Sequence, residues 1–355
     1  MTMYSYGDKL TSQLVKQLAK EYGADLCGIA SMDRFEGAPK QNDPRYIFPA
    51  AKSMIVLGYR VHRGTFRGIE EGTHFIDYAS MGYAAINQVE GPMTLWKMAS
   101  DIEDMGWEAV PIMNINGGEA VNTVTGNFRE NWSVPVEEGK PYPDVLIHFR
   151  YAAYLAGLGE IGWSGVFLTP EFGPRIRFNL ILTDAELEPD PVMAPGTLCN
   201  RCKQCVKHCN GAISETETVK VNLGGYTVEY AKLDPLKCEY GLKYGCDDTA
   251  CPFEVEYPHV YGYGRAVEGG RGCMRACMAA IEKRGILKNQ FHNKFRTKPE
   301  WKVNLNEEHP YPEYIKKEYI ETGKSEDAQA YIDYNENENY GNKGRERKFS
   351  AKQTD

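Results

Sequence analysis

The chain has 355 residues, of which 42% are hydrophobic and 25% charged, and its formal net charge is −8. This is the composition of a globular protein with one large or two modest cores, and no apolar run is long enough to span a bilayer. A negative chain is poorly suited to a phosphate backbone, so nucleic acid is not an expected partner. The first residues contain neither a basic segment nor an apolar one, so we expect no signal peptide, no membrane partner and a cytoplasmic location.

Helical and strand patterns alternate up to about residue 113. Apolar residues at helical spacing predict a helix over residues 10–22, and a longer helical pattern covers residues 78–105 with a break at Gly91-Pro92. Short apolar runs predict strands over residues 24–30, 53–59 and 107–113. Cys27 lies in the first of these strands, where we expect an inert core thiol.

An irregular stretch rich in Asn and Gly follows at residues 114–139. Loops of this length in a compact domain are often functional. Beyond it, a helix is predicted over residues 145–155, with Gly157 and Gly159 in its C-cap region. A further strand is predicted over residues 178–184.

The cysteine-rich part of the chain begins after an acidic, Pro-rich linker at residues 186–195. Within it, a β-hairpin is predicted to turn on Gly224-Gly225. Helices alternating with strands before the linker, and a smaller unit after it, predict an α+β protein. We divide it into residues 1–190, 191–290 and 291–355, and expect the last part to wrap the core or to be partly mobile.

Nine of the ten cysteines lie between residues 199 and 277. The first four have the C-x2-C-x2-C-x3-C spacing of iron–sulfur ligands: Cys199, Cys202, Cys205 and Cys209. A second group follows: Cys238, Cys246, Cys251, Cys273 and Cys277. Disulfide frameworks are typical of small secreted chains, and zinc sites of paired C-x2-C knuckles. The spacing therefore predicts two 4Fe–4S clusters.

The assignment of cysteines to the two clusters follows ferredoxin logic. The first three thiolates of the run hold one cluster and the last cysteine, Cys277, completes it, whereas Cys209 joins the second cluster. Cys273 keeps the expected spacing to Cys277, but Gly270 stands where another ligand is expected. Three candidates therefore compete for two positions, and the choice stays open: Cys238, Cys246 and Cys251.

Two motifs before the cysteine run carry a family resemblance. They are Ala-Gly-Leu-Gly-Glu-Ile-Gly at residues 156–162 and Leu-Thr-Pro-Glu-Phe-Gly-Pro-Arg-Ile-Arg at residues 168–177. Together with Thr183-Asp184 and the cysteine run, in this order, they resemble the corrinoid iron–sulfur reductases, which comprise the reductive dehalogenases and epoxyqueuosine reductase. The resemblance extends over about residues 10–297.

This resemblance implies a nitroreductase-like α/β core that binds base-off cobalamin, and a ferredoxin-like domain whose two 4Fe–4S clusters pass electrons to cobalt. By the same resemblance, five residues are expected to bind the corrinoid: Gly157, Gly159, Gly162, Trp163 and Thr169. A helix C-cap and a tight turn explain the glycines equally well, and a buried structural role is the common fate of a Trp.

Two candidates for the catalytic machinery come from the same comparison. Asp144 lies near the acidic proton donor of epoxyqueuosine reductase, although Asp is also a favoured N-cap for a helix starting at residue 145. Arg175, like Arg177, is suited to orient an anionic substrate or corrin side chains, or to make surface ion pairs.

Two departures separate this chain from the known reactions. Dehalogenases use a Tyr as proton donor, which we expect within residues 112–131, and no Tyr occurs there. Epoxyqueuosine reductases follow the glycine motif with Gly-Lys, where this chain has Gly162-Trp163.

Three functions remain. The preferred prediction is a dehalogenase-like reductase of a small organic molecule that receives electrons from a ferredoxin or flavodoxin. The alternatives are a tRNA-modifying epoxyqueuosine reductase and an electron-transfer protein without corrinoid. The sequence sets neither the substrate nor the oligomeric state.

Overall fold

A four-stranded antiparallel sheet lies at the centre of the protein, with strand order β1-β2-β6-β3. The strands are β1 (Leu26–Ser31), β2 (Ser53–Arg60), β3 (Ala109–Ile112) and β6 (Ile176–Thr183). The computed structural model describes residues 4–71, 74, 76–114, 136, 145–209, 211–234 and 272–299. All four strands fall within the segments that the sequence predicts as strands or extend one or two residues beyond them.

Both faces of the sheet are covered, because the two central strands are buried along almost their whole length. β2 and β6 pair from Ser53 opposite Thr183 to Arg60 opposite Ile176. Alternate residues of each strand point to opposite faces. One face packs against α1 (Ser12–Glu21) and α4 (Gly91–Asp104), and the other packs against α5 (Phe149–Leu155). The result is a mixed helix–strand fold with three layers.

The helical run before α4 has an unusual geometry. After α2 (Arg67–Glu71) and α3 (Ile76–Ala79), two π-helical segments cover Ser80–Ala84 and Ile86–Glu90 and lead directly into α4. The predicted break at Gly91-Pro92 is therefore wrong. A Pro is tolerated in a first helical turn, where no intrahelical N–H bond is lost, and Gly91 is needed because a Cβ there would lie 1.9 Å from Nδ2 of Asn179.

The helix α5 starts four residues later than its sequence pattern predicts. It begins at Phe149 and is capped by His148, whose ring nitrogen Nδ1 accepts a hydrogen bond from the N–H of Tyr151. Residue 144 therefore cannot be its N-cap. The predicted C-cap region is confirmed, since Gly157 follows the helix with φ +74°.

Two short paired strands, β4 (Glu160–Ile161) and β5 (Phe167–Leu168), precede β6. The described elements of the cysteine-rich part are α6 (Gln204–Lys207), β7 (Ile213–Leu223), β8 (Tyr226–Leu233) and α7 (Cys273–Lys283). β7 and β8 form the predicted hairpin, and Gly224 and Gly225 supply its two positive φ angles. The hydroxyl groups of Tyr151 and Tyr230 lie 2.6 Å apart and join this hairpin to α5.

Residues 284–299 return to the core, where charged and aromatic side chains hold them. Arg63 pairs with Glu282 at 3.0 Å and also bonds to Asn293, while Phe295 is 2% exposed. The described part of the predicted extension, residues 291–299, thus packs on the core, and residues 300–355 lie outside the described chain.

The described residues also include four 3₁₀ helices: Met32–Phe35, Lys40–Asn42, Pro44–Tyr46 and Arg63–Phe66. Among the helices described, none has the length and apolarity needed to cross a bilayer.

Candidate functional site

Cysteines from two distant segments come together between α6 and α7. Thiols of the run at residues 199–205 interact electrostatically with those of α7, and together they form a group of five: Cys199, Cys202, Cys205, Cys273 and Cys277. The group contains Cys277, predicted to complete the first cluster, and also Cys273, predicted to bind the second, so the division of ligands between the clusters stays a prediction. Cys238, Cys246 and Cys251 lie outside the described residues.

The environment of these thiols opposes free thiolates. Burial raises the pKa of Cys205 to about 12, and the neighbouring Cys273 and Cys199 raise it further. Burial also raises the pKa of Cys277 well above its usual value, with Cys205 and Cys199 adding to the effect. Such thiols lose their protons when a metal supplies the compensating positive charge.

The loop that carries the first cysteines contains two residues with positive φ angles. Arg201 and Lys203 both adopt φ +56°, the left-handed region that side chains rarely occupy. These two residues flank Cys202. Such backbone strain is typical of functional sites and persists where the surrounding contacts fix the conformation of the strained residues.

Backbone N–H groups donate to two of the sulfur atoms. The N–H of Trp163 donates to Sγ of Cys199 at 3.3 Å, and the N–H of Ile213 donates to Sγ of Cys209 at 3.4 Å. The buried indole Nε1 of Trp163 has no hydrogen-bond partner among the described residues. Donors of this kind are characteristic of iron–sulfur sites, where they bond thiolate and sulfide sulfur.

The donor set therefore fits a 4Fe–4S cluster. No described set of three or more His, Cys, Asp or Glu side chains is close enough to hold a single metal ion. A cubane differs from such a site because each cysteine binds its own iron, so its ligands stand farther apart. Cys27 is separate from this centre, and burial raises its pKa to about 12, as expected of an inert thiol.

A buried carboxylate holds the entry to the cysteine loop. Glu160 is 1% exposed and accepts backbone N–H bonds from Gly196 and Leu198, each at 2.5 Å, and a further one from Cys199. On the other side of the loop, Arg284 donates to the carbonyl oxygen of Leu198 at 2.5 Å. Two distant side chains thus fix the backbone at the first predicted ligand.

A tyrosine–arginine pair lies beside the cysteine helix. The guanidinium of Arg177 on β6 donates to the hydroxyl of Tyr78 at 2.9 Å and to the carbonyl oxygen of Gly82 at 3.0 Å. It also lies 4.0 Å from the ring centroid of Tyr83. Tyr78 in turn donates to Sδ of Met274 at 4.0 Å, next to Cys273. The pair therefore connects the sheet to the cysteine centre.

The π-helical geometry explains how both tyrosines reach Arg177. Tyr78 lies in α3 and Tyr83, five residues later, lies in the π-helical segment that follows, where residues five apart share one face. The Tyr expected within residues 112–131 does not occur there, and Tyr78 lies outside that range. The signal that could have found it is a pair of tyrosines five apart within a helical pattern, since π-helical turns often occur at functional sites.

Buried polar side chains lie near the same face of the sheet. Tyr59 is directly opposite Arg177 in the β2–β6 register, and burial raises its pKa against the opposing effect of hydrogen bonds with Thr94 and Asn179. Among the described residues, Oδ1 of Asn87 is buried without a hydrogen-bond partner. Buried polar groups are normally bonded, so this atom is suited to a polar ligand or to ordered water.

The predicted corrinoid-binding glycines face protein atoms. A Cβ on Gly157 would lie 2.4 Å from the carbonyl oxygen of Pro191, and one on Gly159 would lie 1.9 Å from that of Leu168. A Cβ on Gly162 would meet a side-chain carbon of Leu168 at 3.1 Å. These contacts favour the turn interpretation, and the corrinoid role of the glycines stays a prediction.

The remaining predicted residues have well-defined neighbours. The hydroxyl of Thr169 accepts the N–H of Phe172 and closes its own turn. Trp163 packs against Cys205 and Cys199, beneath the cations of Arg201 and Lys203. Both residues were predicted to bind the corrinoid, and that role stays a prediction.

Arg175 is buried, with 1% of its surface exposed. It donates to the carbonyl oxygen of Val61 at 2.9 Å and to Oδ1 of Asn289 at 2.7 Å, and burial lowers its pKa to about 10. These contacts tie β6 to the returning C-terminal segment, so Arg177 is the better placed of the two arginines for chemistry. Asp144 lies outside the described residues.

Curated relatives support the resemblance. No protein-family model matches the chain. A tetrachloroethene reductive dehalogenase of Dehalobacter restrictus is 29% identical over 208 residues, which are 56% of this chain and 29% of the relative. An epoxyqueuosine reductase of Listeria monocytogenes is 31% identical over 105 residues, which are 28% of this chain and 27% of the relative. The recognition of these two groups of reductases is confirmed, although the matches span less than a third of each relative.

Solved structures of both groups are also similar. One is a reductive dehalogenase whose structure suggests a mechanism for B12-dependent dehalogenation, at 19% identity over 77% of this chain and 39% of that one, with a TM-score of 0.48. Another is an epoxyqueuosine reductase with an epoxyqueuosine-modified tRNA stem loop. It is 15% identical to this chain, the match covers 68% of this chain and 60% of that one, and the TM-score is 0.39. Scores of this size are too low to assign the fold.

Proposed function

We propose that this chain, a relative of reductive dehalogenases and epoxyqueuosine reductases, is an oxidoreductase that reduces a small organic molecule with a cobalamin and two 4Fe–4S clusters. The clusters deliver electrons, one at a time, to the corrinoid. The preferred reaction is dehalogenase-like: a carbon–halogen bond takes up two electrons and one proton, and halide leaves.

One observation carries this proposal. Thiols from the run at residues 199–205 and from α7 meet in one centre, and the buried Tyr78 with the half-buried Arg177 lies beside α7. An electron source and a proton source thus stand next to each other. A simple electron carrier has no need for the second.

Tyr78 is the proposed proton donor. Its oxygen accepts the hydrogen bond from Arg177, so its own proton is directed away, toward the weak acceptor Sδ of Met274. When that proton passes to the substrate, the positive guanidinium stabilises the phenolate that remains. The ring of Tyr83 holds Arg177 in place through a cation–π contact.

The bound cobalamin would supply low-valent cobalt, the reductant that acts on the substrate. Among the described residues, the groups proposed to bind it or the substrate are Oδ1 of Asn87, which is buried without a hydrogen-bond partner, and the polar side chains of Tyr59 and Asn179. The apolar side chains around them, such as Leu57 and Leu95, exclude water from this region.

The cofactor content tests this proposal. Chain purified without oxygen is expected to contain about eight iron atoms and one cobalt, with a corrinoid absorption spectrum. Cys277→Ala is expected to lower the iron to about four, because it removes one ligand from the first cluster. Cys27→Ala is the matched control and keeps all eight. A chain that neither copurifies with cobalamin nor binds it on reconstitution is not this reductase.

The tRNA-modifying alternative rests on the 31% identity to the Listeria enzyme over 105 residues. The net charge of −8 and the missing Gly-Lys count against it. Salt-dependent binding of a tRNA stem loop would favour it over reduction of halogenated phenols or alkenes.

Electrons are proposed to enter near Cys202, a cysteine of the first cluster that is exposed at the surface. The run at residues 199–209 contains three cations, Arg201, Lys203 and Lys207, and no carboxylate. Lys203 and Lys207 form no ion pair within the described part of the chain. In a chain of net charge −8, such a patch suits an acidic flavodoxin or ferredoxin.

Reversing these charges is expected to slow reduction of the clusters by flavodoxin. Lys203→Glu/Lys207→Glu should lower the rate about 10-fold at low ionic strength, and the difference should vanish at high salt. Stopped-flow absorbance measures the rate. Lys9→Glu/Lys20→Glu makes the same charge change outside the cysteine segment and should reduce as fast as the unaltered chain. A small cationic reductant, the methyl viologen radical, should show no slowing; equal rates with flavodoxin for both double variants would place its docking elsewhere.

A further inference from the structure

Glu160 is buried against the cysteine loop without a cation beside it. The carboxylate is 1% exposed, and no Lys, Arg or His of the described chain forms an ion pair with it. A buried charge with no counter-charge is costly. Its described partners are the three backbone N–H groups of Gly196, Leu198 and Cys199.

This arrangement affects the first cluster in two ways. The N–H groups of Leu198 and Cys199 are bonded to carboxylate oxygen, so they are not available to cluster sulfur. In addition, a negative charge lies one peptide from a cluster ligand, in an interior that screens charge poorly. Hydrogen bonds to sulfur raise a cluster's reduction potential, and a nearby negative charge disfavours the added electron.

We propose that Glu160 is a positioning residue that holds Cys199 at the first cluster and lowers the reduction potential of that cluster. A lower potential makes the reduced cluster a stronger electron donor, as reduction of a corrinoid requires. The inference rests on the clusters of the proposed function and does not depend on the corrinoid or the substrate.

This role can be distinguished from that of a side chain that only holds the loop backbone in place. Holding the backbone needs hydrogen-bond acceptors but not a charge, and a Gln side chain supplies one acceptor oxygen in nearly the same volume. Asp keeps the charge and both acceptor oxygens on a shorter side chain. The charge and the backbone hydrogen bonds can therefore be changed separately.

The test is a redox titration of the intact, cluster-loaded chain followed by electron paramagnetic resonance. Glu160→Gln is expected to shift the midpoint potential of one cluster to a more positive value and to leave the other unchanged. Glu160→Asp should stay close to the unaltered chain. Glu217→Gln, which removes an exposed carboxylate from β7, is the control and should shift neither potential.

Three results would overturn the inference. In the first, Glu160→Gln keeps its iron and both potentials are unchanged. In the second, Glu160→Asp shifts the potential as far as Glu160→Gln does, which removes charge as the cause. In the third, Glu160→Gln shifts the potential to a more negative value, which is opposite to the effect of removing a negative charge. An unaltered chain without iron would instead overturn the proposed function itself.

Discussion

Tyr78→Phe is expected to lower the rate of substrate reduction by about 100-fold or more, because it removes the proposed proton donor. The hydroxyl that it deletes accepts from Arg177 at 2.9 Å, while the aromatic ring and its contact with Phe66 remain. Iron content, corrinoid content and the rate of cluster reduction should not change. The measurement is turnover of a halogenated phenol or alkene that the unaltered chain reduces.

Tyr154→Phe provides the matched control. It deletes another buried tyrosine hydroxyl, one that donates to the carbonyl oxygen of Met193 at 2.9 Å, far in sequence from the pair. This substitution is expected to lower the free energy of unfolding by about 1 kcal/mol and to leave turnover unchanged. Equal turnover by Tyr78→Phe and the unaltered chain would assign the proton donor to another residue.

Glu70→Gln is expected to destabilise the protein by about 3–5 kcal/mol, because it breaks a buried group of three charges. Glu70 lies 3.1 Å from Arg275 of the cysteine helix and 2.6 Å from Arg296 of the returning segment. Arg275 is 1% exposed at its side chain, and burial already lowers its pKa against the opposing effect of Glu70. Loss of the carboxylate leaves two arginines facing each other in the interior.

The midpoint of thermal unfolding measures this effect, and cluster occupancy is expected to fall with it, since Arg275 lies between Cys273 and Cys277 on α7. Glu71→Gln is the control at the next position. Its carboxylate pairs with Lys298 and Arg67 at the surface, and its loss should leave the midpoint nearly unchanged. Equal unfolding midpoints for the two variants would contradict a structural role of the buried group.

Much of the local structure could be predicted because its causes lie within short segments. The strand β2 is a continuous apolar run, and the turn at Gly224-Gly225 needs two positive φ angles that glycine adopts without strain. The helix boundaries were less accurate. His148 caps α5 where a helical pattern continues upstream, and the π-helical segments absorb Gly91-Pro92 without a break.

The sequence by itself determined the family resemblance and the prediction of iron–sulfur chemistry. The spacing of Cys199 to Cys209 is local and sets which thiols share a loop, whatever surrounds them. The order of the glycine, Thr-Pro-Glu-Phe-Gly and cysteine motifs is likewise readable along the chain, and curated relatives of both groups match parts of it.

Only the tertiary structure decided which polar groups meet. Tyr78 and Arg177 are 99 residues apart, and Tyr78 and Met274 are 196 apart. Their contact depends on the strand register, the π-helical phase and the packing of α7, none of which has a local pattern. The same holds for Glu160 at Cys199, where a motif residue binds a loop 39 residues away. Long-range contacts are set by how buried surfaces fit together, so the residues proposed here for proton transfer and potential control appear only once the chain is folded.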